Sequence, residues 1–225
     1  MSASAVLCSG GLDSVVLLAL ELDGHDAVWP IHVRAGLAWE DAEARALARV
    51  LAQPPFTGRV QPVRSLALDM RDVYPANHWA VLGTPPAYDT PDEDVYLEGR
   101  NIVLIAKAAV LCARLDVSRL AMGPLAGNPF PDSTPEFFAT MSQAMGLGLD
   151  RAFTVVTPLA KYHKEDVVRI GVERGVPLEL TMSCMNPVGD VHCGRCSKCR
   201  ERRDAFRISG VRDRTVYDYN FTTSN

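Results

Sequence analysis

The chain has 225 residues, of which 48% are hydrophobic and 22% are charged, and its formal net charge at pH 7 is −4. This composition is typical of a globular protein with enough residues for a substantial core. The acidic balance gives no overall attraction to nucleic acid, so we expect a small-molecule substrate and no direct nucleic-acid binding. No basic segment precedes a long apolar stretch at the N-terminus, and no window reaches the roughly 18 apolar residues of a membrane span. We therefore expect a cytoplasmic protein without membrane contact.

Apolar runs and segments with helical spacing alternate along the first 180 residues. The predicted strands are Ala3–Cys8, Ala27–Val33, Arg59–Leu66, Arg119–Met122 and Phe153–Thr157. The predicted helices are Leu12–Leu22, Ala38–Gln53, Ile102–Leu115, Thr134–Met145 and His163–Arg174. The alternation predicts an α/β fold with a doubly wound, Rossmann-like parallel sheet of five strands, and ligands at the carboxyl ends of the strands.

Two segments depart from this alternation. Residues 69–97 contain several prolines, and we expect them to be partly ordered and close to the site. After about residue 180 a cysteine-rich segment follows. We therefore predict a nucleotide-binding α/β domain over residues 1–180 and a small metal-binding knuckle with the tail over residues 181–225.

The segment between the first predicted strand and the first predicted helix has the sequence Ser-Gly-Gly-Leu-Asp-Ser. Two adjacent glycines permit a tight turn whose N–H groups point at one anion, beside the positive end of the helix dipole. The pattern is neither a Walker loop nor G-x-G-x-x-G. We predict a nucleotide site in which the carboxylate holds Mg²⁺ or orients the loop; its residues are Ser9, Gly10, Gly11, Leu12, Asp13 and Ser14, with His32 and Val33 from the second strand.

Four of the six cysteines crowd into the C-terminal region, at Cys184, Cys193, Cys196 and Cys199. Crowding of this kind favours a metal site over disulfides in a cytosolic chain. Four thiolates close a tetrahedral zinc site with no open position, which predicts a structural zinc ion. An iron–sulfur cluster is the alternative, although the Cys-x3-Cys-Pro that would complete a ferredoxin-like run is missing. We expect His192 to be solvated and not to replace a sulfur.

The N-terminal loop resembles the SGG-x-DS loop of the ATP pyrophosphatase superfamily, and its combination with the cysteine spacing resembles the 7-cyano-7-deazaguanine synthase family. Further matches lie at residues 98–101, at residues 131–137, at Lys164 and at residues 202–206. The resemblance implies a homodimeric zinc-containing ligase that converts 7-carboxy-7-deazaguanine and ammonia to a nitrile. It also implies that ATP is cleaved to AMP and pyrophosphate, through an acyl-adenylate and an amide.

The resemblance also implies roles for individual residues. The catalytic residues are expected to be Asp13, Arg100 and Lys164, with both cations facing the phosphates. The substrate residues are expected to be Gly99, Arg100, Asn101, Asn128 and Asp132, of which the last would accept hydrogen bonds from the guanine-like edge. From its position alone, Asn101 is also expected to cap the helix that follows it.

Residues 31–40, 123–133 and 185–187 differ from the usual pattern of the family. These differences motivate an alternative, in which a divergent member adenylates a related carboxylate and stops at the amide or passes the group to another acceptor. A tRNA-modifying thiolase and a non-catalytic nucleotide-binding module are the other classes considered. The acidic composition and the single cysteine knuckle argue against the thiolase.

Overall fold

The computed structural model describes residues 2–219 and contains one sheet of five parallel strands. The strands are β1 (Ala3–Leu7), β2 (Ala27–Arg34), β3 (Arg64–Ala67), β4 (Arg119–Ala121) and β5 (Thr154–Val156). Their order is β3-β2-β1-β4-β5, so the chain reverses its direction of winding at β1. The predicted doubly wound α/β sheet is confirmed, and its switch point, where such folds bind ligands, lies where β1 meets the glycine-rich loop.

Seven α-helices connect or flank these strands within residues 2–219. They are α1 (Leu12–Gly24), α2 (Glu40–Leu51), α3 (Trp79–Leu82), α4 (Arg100–Arg114), α5 (Pro135–Leu149), α6 (Lys164–Glu173) and α7 (Ser197–Ser209). None of the helices in the described part of the chain is long and apolar enough to cross a membrane.

The two faces of the sheet are covered by different helices. One hydrophobic cluster contains Val16 and Leu17 of α1, Val168 of α6 and Phe206 of α7. The other cluster packs α4 and α5 against the opposite face. Helices on both faces leave the ends of the strands as the accessible edge of the sheet.

Several predicted boundaries differ from the structure. The third strand begins at Arg64 rather than at Arg59, because residues 52–60 form turns, one of them with Gly58 at a φ of +73°. Residues 69–97 include α3 and a 3-10 turn at Asp92–Val95, and their own hydrophobic cluster, which includes Trp39 and Leu97, orders them. Asn101 does not cap α4, since Gly99 occupies the N-cap position.

The sequence analysis did not predict α7. The sequence of α7 is mostly charged, so its pattern does not reveal the buried face that includes Cys199, Arg202 and Phe206. Through this face α7 packs against α6 and joins the cluster that covers α1. The division into residues 1–180 and 181–225 stays a proposal about organisation.

Candidate active site

The glycine-rich loop leaves β1 and enters α1 with the geometry of an anion cradle. Gly10 has a φ of +95°, which side-chain-bearing residues rarely adopt. The Ser9 hydroxyl accepts a hydrogen bond from the Gly11 amide at 3.1 Å, and the Ser14 hydroxyl donates to the Gly11 carbonyl at 3.0 Å. Hydrogen bonds of its two serines thus stabilise the loop at the N-terminus of a 13-residue helix.

Asp13 and Lys164, which are far apart in sequence, form an ion pair beside this loop. Lys164 Nζ lies 2.5 Å from Asp13 Oδ2 and 3.5 Å from Glu201 Oε1. Burial works against the charge of Lys164, but the two carboxylates raise its pKa above the ordinary value. Lys164 is therefore a permanent cation at the mouth of the loop.

Two adjoining cavities open at the loop. The first, of about 310 Å³, lies at the carboxyl ends of β1 and β2 and is called the sheet-side cavity. The second, of about 470 Å³, lies between the loop, α2, α6 and α7 and is called the knuckle-side cavity. Asp13 and Arg100 line both cavities, so these two predicted catalytic residues stand at their junction.

Two polar atoms at this junction are buried without a protein partner. Asp13 Oδ1 and Arg100 Nε have no hydrogen-bond partner among the described residues. Buried polar atoms are nearly always satisfied in folded proteins, so a carboxylate oxygen and a guanidinium N–H left open here fit a bound cation and a bound anion.

The residues predicted to bind the substrate hold each other in place. The Asn101 amide donates to Asp132 Oδ2 at 3.0 Å, and Asn101 Nδ2 donates to the Asp132 carbonyl at 2.8 Å. Asn101, Asn128 and Asp132 line the sheet-side cavity. Gly99 lines neither cavity and is instead the N-cap residue of α4, with a φ of +71°.

His32 and Val33, predicted to bind the nucleotide, lie on opposite faces of β2 because side chains alternate along a strand. Val33 lines the sheet-side cavity. The His32 ring is 3% exposed, and its Nδ1 lies 3.3 Å from the Cys8 carbonyl. Burial lowers the pKa of His32, which favours a neutral ring that supports the strand.

The sequence analysis missed several charged residues of the knuckle-side cavity, among them Glu43, Lys198 and Glu201. Glu43 lies on the buried face of α2, where burial raises its pKa to about 7. The stripe of Trp39, Ala42, Ala46 and Val50 at helical spacing was the signal that could have placed Glu43 on this face. Lys198 and Glu201 are missed because α7 was not predicted.

The four C-terminal cysteines form a compact cluster of thiols. Their sulfur atoms all lie within 4.8 Å of one another, and every one of the four residues is buried. The separations are 3.9 Å for Cys184–Cys196, 3.9 Å for Cys193–Cys199 and 3.5 Å for Cys196–Cys199. A tetrahedron with its centre about 2.3 Å from each sulfur has edges of about 3.8 Å, so the donor set fits a metal ion with four thiolate ligands.

The prediction that His192 is solvated is wrong. The ring is 3% exposed, and its Nε2 accepts a hydrogen bond from the Ser183 amide at 3.0 Å. Burial lowers the pKa of His192 to about 3, so the ring stays neutral and acts as an acceptor that supports the cysteine loop.

The fold and the loop define a member of the pyrophosphate-loop class of α/β proteins. The family model described as "Queuosine biosynthesis protein QueC" matches residues 3–210, and the chain belongs to this family. The chain is 34% identical to the 7-cyano-7-deazaguanine synthase of Methanopyrus kandleri, over 96% of this chain and 99% of the relative. It is 33% identical to the synthase of the same name from Methanothrix thermoacetophila, over 97% of this chain and the full length of the relative.

A solved structure, that of a 4-thiouridine synthetase in complex with RNA and with bound ATP, is similar in fold. The likeness has a TM-score of 0.50 at 16% identity and covers 93% of this chain and 52% of the other. At this identity it supports the α/β fold alone.

Proposed function

We propose that this protein is an ATP-dependent ligase that converts 7-carboxy-7-deazaguanine and ammonia to 7-cyano-7-deazaguanine, with release of AMP and pyrophosphate. The observation that carries the proposal is the junction of the two cavities. There the glycine-rich loop, the Asp13–Lys164 pair and Arg100 meet in a chain of the QueC family.

The proposed reaction contains two adenylation steps. A carboxylate is a poor electrophile, so its oxygen first attacks the α-phosphorus of ATP and pyrophosphate leaves. Ammonia then displaces AMP to give an amide, and adenylation of the amide oxygen allows loss of AMP to leave the nitrile. In each adenylation the protein must position the nucleophile and stabilise the charge of the leaving pyrophosphate.

The loop from Ser9 to Ser14 is proposed to hold the pyrophosphate through its amides and hydroxyls. Lys164 and Arg100 are proposed to face the phosphates, since both line the knuckle-side cavity together with Asp13. The open Oδ1 of Asp13 is proposed to face Mg²⁺, which would neutralise phosphate charge when bound.

The sheet-side cavity is proposed to hold the deazapurine. Asp132 is 6% exposed, lines this cavity and is held by the Asn101 amide. A carboxylate fixed in this way suits the N1–H and exocyclic amine of a guanine-like base. Asn128 lines both cavities and would lie between the base and the phosphates.

The four cysteines are proposed to hold a structural zinc ion, since four thiolates leave no open position for chemistry. Homodimer formation is proposed from the family resemblance, and a cytoplasmic location is proposed from the sequence, as expected above.

A divergent acceptor is the second candidate. The segments that differ from the usual family pattern reach the cavities, because Asn128, Phe130 and Met185 line the knuckle-side cavity. In this case the chain would activate a related carboxylate and stop at the amide or pass the group to another amine.

Mass spectrometry separates the two candidates. The metal-loaded protein is incubated with ATP, Mg²⁺, ammonium and 7-carboxy-7-deazaguanine, and AMP and the 7-substituent are followed together. Nitrile with two AMP per turnover supports the proposal. AMP without nitrile supports the divergent acceptor, and the absence of both contradicts the proposed substrate.

A further inference from the structure

Alternating charges connect the phosphate loop to the cysteine knuckle. Lys164 Nζ contacts Asp13 Oδ2 at 2.5 Å and Glu201 Oε1 at 3.5 Å, and Glu201 Oε2 in turn lies 2.8 Å from Lys198 Nζ. These four residues come from α1, α6 and α7, and all of them line the knuckle-side cavity. The first turn of α7 therefore adds a second ammonium group to the cavity into which the loop opens.

The backbone that carries Lys198 is held firmly. Helix α7 begins directly after Cys196 and has Cys199 in its first turn. Arg202, with 0% exposure, donates to the Thr181 and Ser183 hydroxyls at 2.9 Å and to the Leu178 carbonyl at 2.6 Å. Because the cysteines and Arg202 hold the backbone of α7 in place, a ligand in the cavity can be met by a change in the conformation of the Lys198 side chain.

The charges of this row balance without a ligand. In these four residues two ammonium groups face two carboxylates. A bound pyrophosphate adds several negative charges, which need further cations close by. The Lys198 side chain is 26% exposed and that of Lys164 is 15% exposed, so Lys198 is the more accessible of the two ammonium groups to an incoming anion.

We propose that Lys198 is a pyrophosphate-binding residue, whose ammonium group exchanges the Glu201 carboxylate for the pyrophosphate held by the loop. Glu201 is its partner in the unliganded protein and keeps the side chain directed toward the cavity. The inference rests on the proposed function, because it requires that the loop binds the phosphates of a nucleotide.

The test is calorimetric titration of the full-length, metal-loaded protein with inorganic pyrophosphate. Lys198→Gln is expected to weaken binding about tenfold, as for loss of one charge-assisted contact, while Lys198→Arg retains most of the affinity. Lys107→Gln, on an exposed position of α4, is the matched control and is expected to bind as the wild type does. The unfolding midpoint without ligand should be the same in all variants.

A second background separates direct binding from simple neutralisation of Glu201. If Lys198 contacts the anion, the tenfold loss persists when Lys198→Gln is made in Glu201→Gln. If Lys198 only cancels the charge of Glu201, Lys198→Gln no longer lowers the affinity for pyrophosphate in the Glu201→Gln background, and the proposal is overturned. Equal affinity of wild type and Lys198→Gln overturns the role of Lys198 alone, whereas failure of the wild type to bind pyrophosphate contradicts the proposed function itself.

Discussion

A methyl group at Gly10 would lie 2.6 Å from the main-chain carbonyl oxygen of Glu43. Helix α2 is therefore packed directly against the phosphate loop, and the loop has no room for a side chain at this turn. The same contact holds α2 beside the loop, and Glu43 lines the knuckle-side cavity.

Gly10→Ala is expected to destabilise the fold and to abolish nucleotide binding. The φ of +95° and the contact with a backbone oxygen both oppose a Cβ, at a combined cost on the order of 2 kcal/mol or more. Chemical denaturation and titration with ATP measure the two effects. The matched control is Gly11→Ala, since Gly11 has a φ of −73° and a Cβ at this position would stay 3.2 Å or more from other groups. Equal stability of the two variants would contradict the expectation.

Asp13→Asn is expected to lower kcat by on the order of 10²–10³ while the protein stays folded. The amide removes the negative charge that faces Lys164 and that we assign to Mg²⁺, whereas Lys164 keeps Glu201 as a partner at 3.5 Å. AMP release under saturating ATP measures the effect. Asp23→Asn, at the exposed end of the same helix, is the control and should retain activity. Full activity of Asp13→Asn would exclude a catalytic role for Asp13.

Cys196→Ser is expected to lose the metal and to lower the unfolding midpoint by on the order of 10 °C. Cys196 is both a member of the thiol cluster and the N-cap residue of α7, so its loss releases the helix that packs on α6. Elemental analysis and thermal unfolding provide the readouts, with one zinc ion per chain expected in the wild type.

Cys112→Ala is the control for the metal prediction, because Cys112 is buried in the cluster formed with α4, and the thiol cluster does not include it. It should retain the full metal content. A Cys196→Ser protein with wild-type stability and no activity would argue for a catalytic metal, and iron with visible absorption would argue for a cluster.

Sequence patterns predicted the sheet and the loop because both depend on local signals. The apolar runs define the strands, and the loop motif is contiguous in sequence. Glu43 had only the indirect signal of the apolar stripe on α2, and Lys198 and Glu201 had none, since a charged residue on a helix resembles a solvated face until its partners are known. Conversely, His32 adjoins the cavity-lining Val33 in sequence, yet the strand directs its ring toward the Cys8 carbonyl. Which side of an element faces the site is a tertiary property.

The stability of the protein is expected to fall between pH 4.5 and 7 through Glu43. Burial raises the pKa of Glu43 from 4.5 to about 7, although Arg100 acts in the opposite direction. The native state therefore holds a proton on Glu43 that the unfolded chain has already released in this interval. The stability that this proton contributes is fully present below pH 4.5 and is lost as the pH rises through 7. A difference of this size corresponds to roughly 3 kcal/mol.

Urea denaturation of the wild type and of Glu43→Gln at half-unit steps from pH 4.5 to 8 measures this contribution. Other groups titrate equally in both proteins, so the difference in unfolding free energy isolates Glu43, and the wild type should lose stability relative to the variant as the pH rises. Glu173→Gln, at the exposed end of α6, should run parallel to the wild type at every pH. A constant difference between wild type and Glu43→Gln would mean that Glu43 remains ionised in the native protein. In that case a cation, most simply Arg100, would have to neutralise Glu43 beside the phosphate loop.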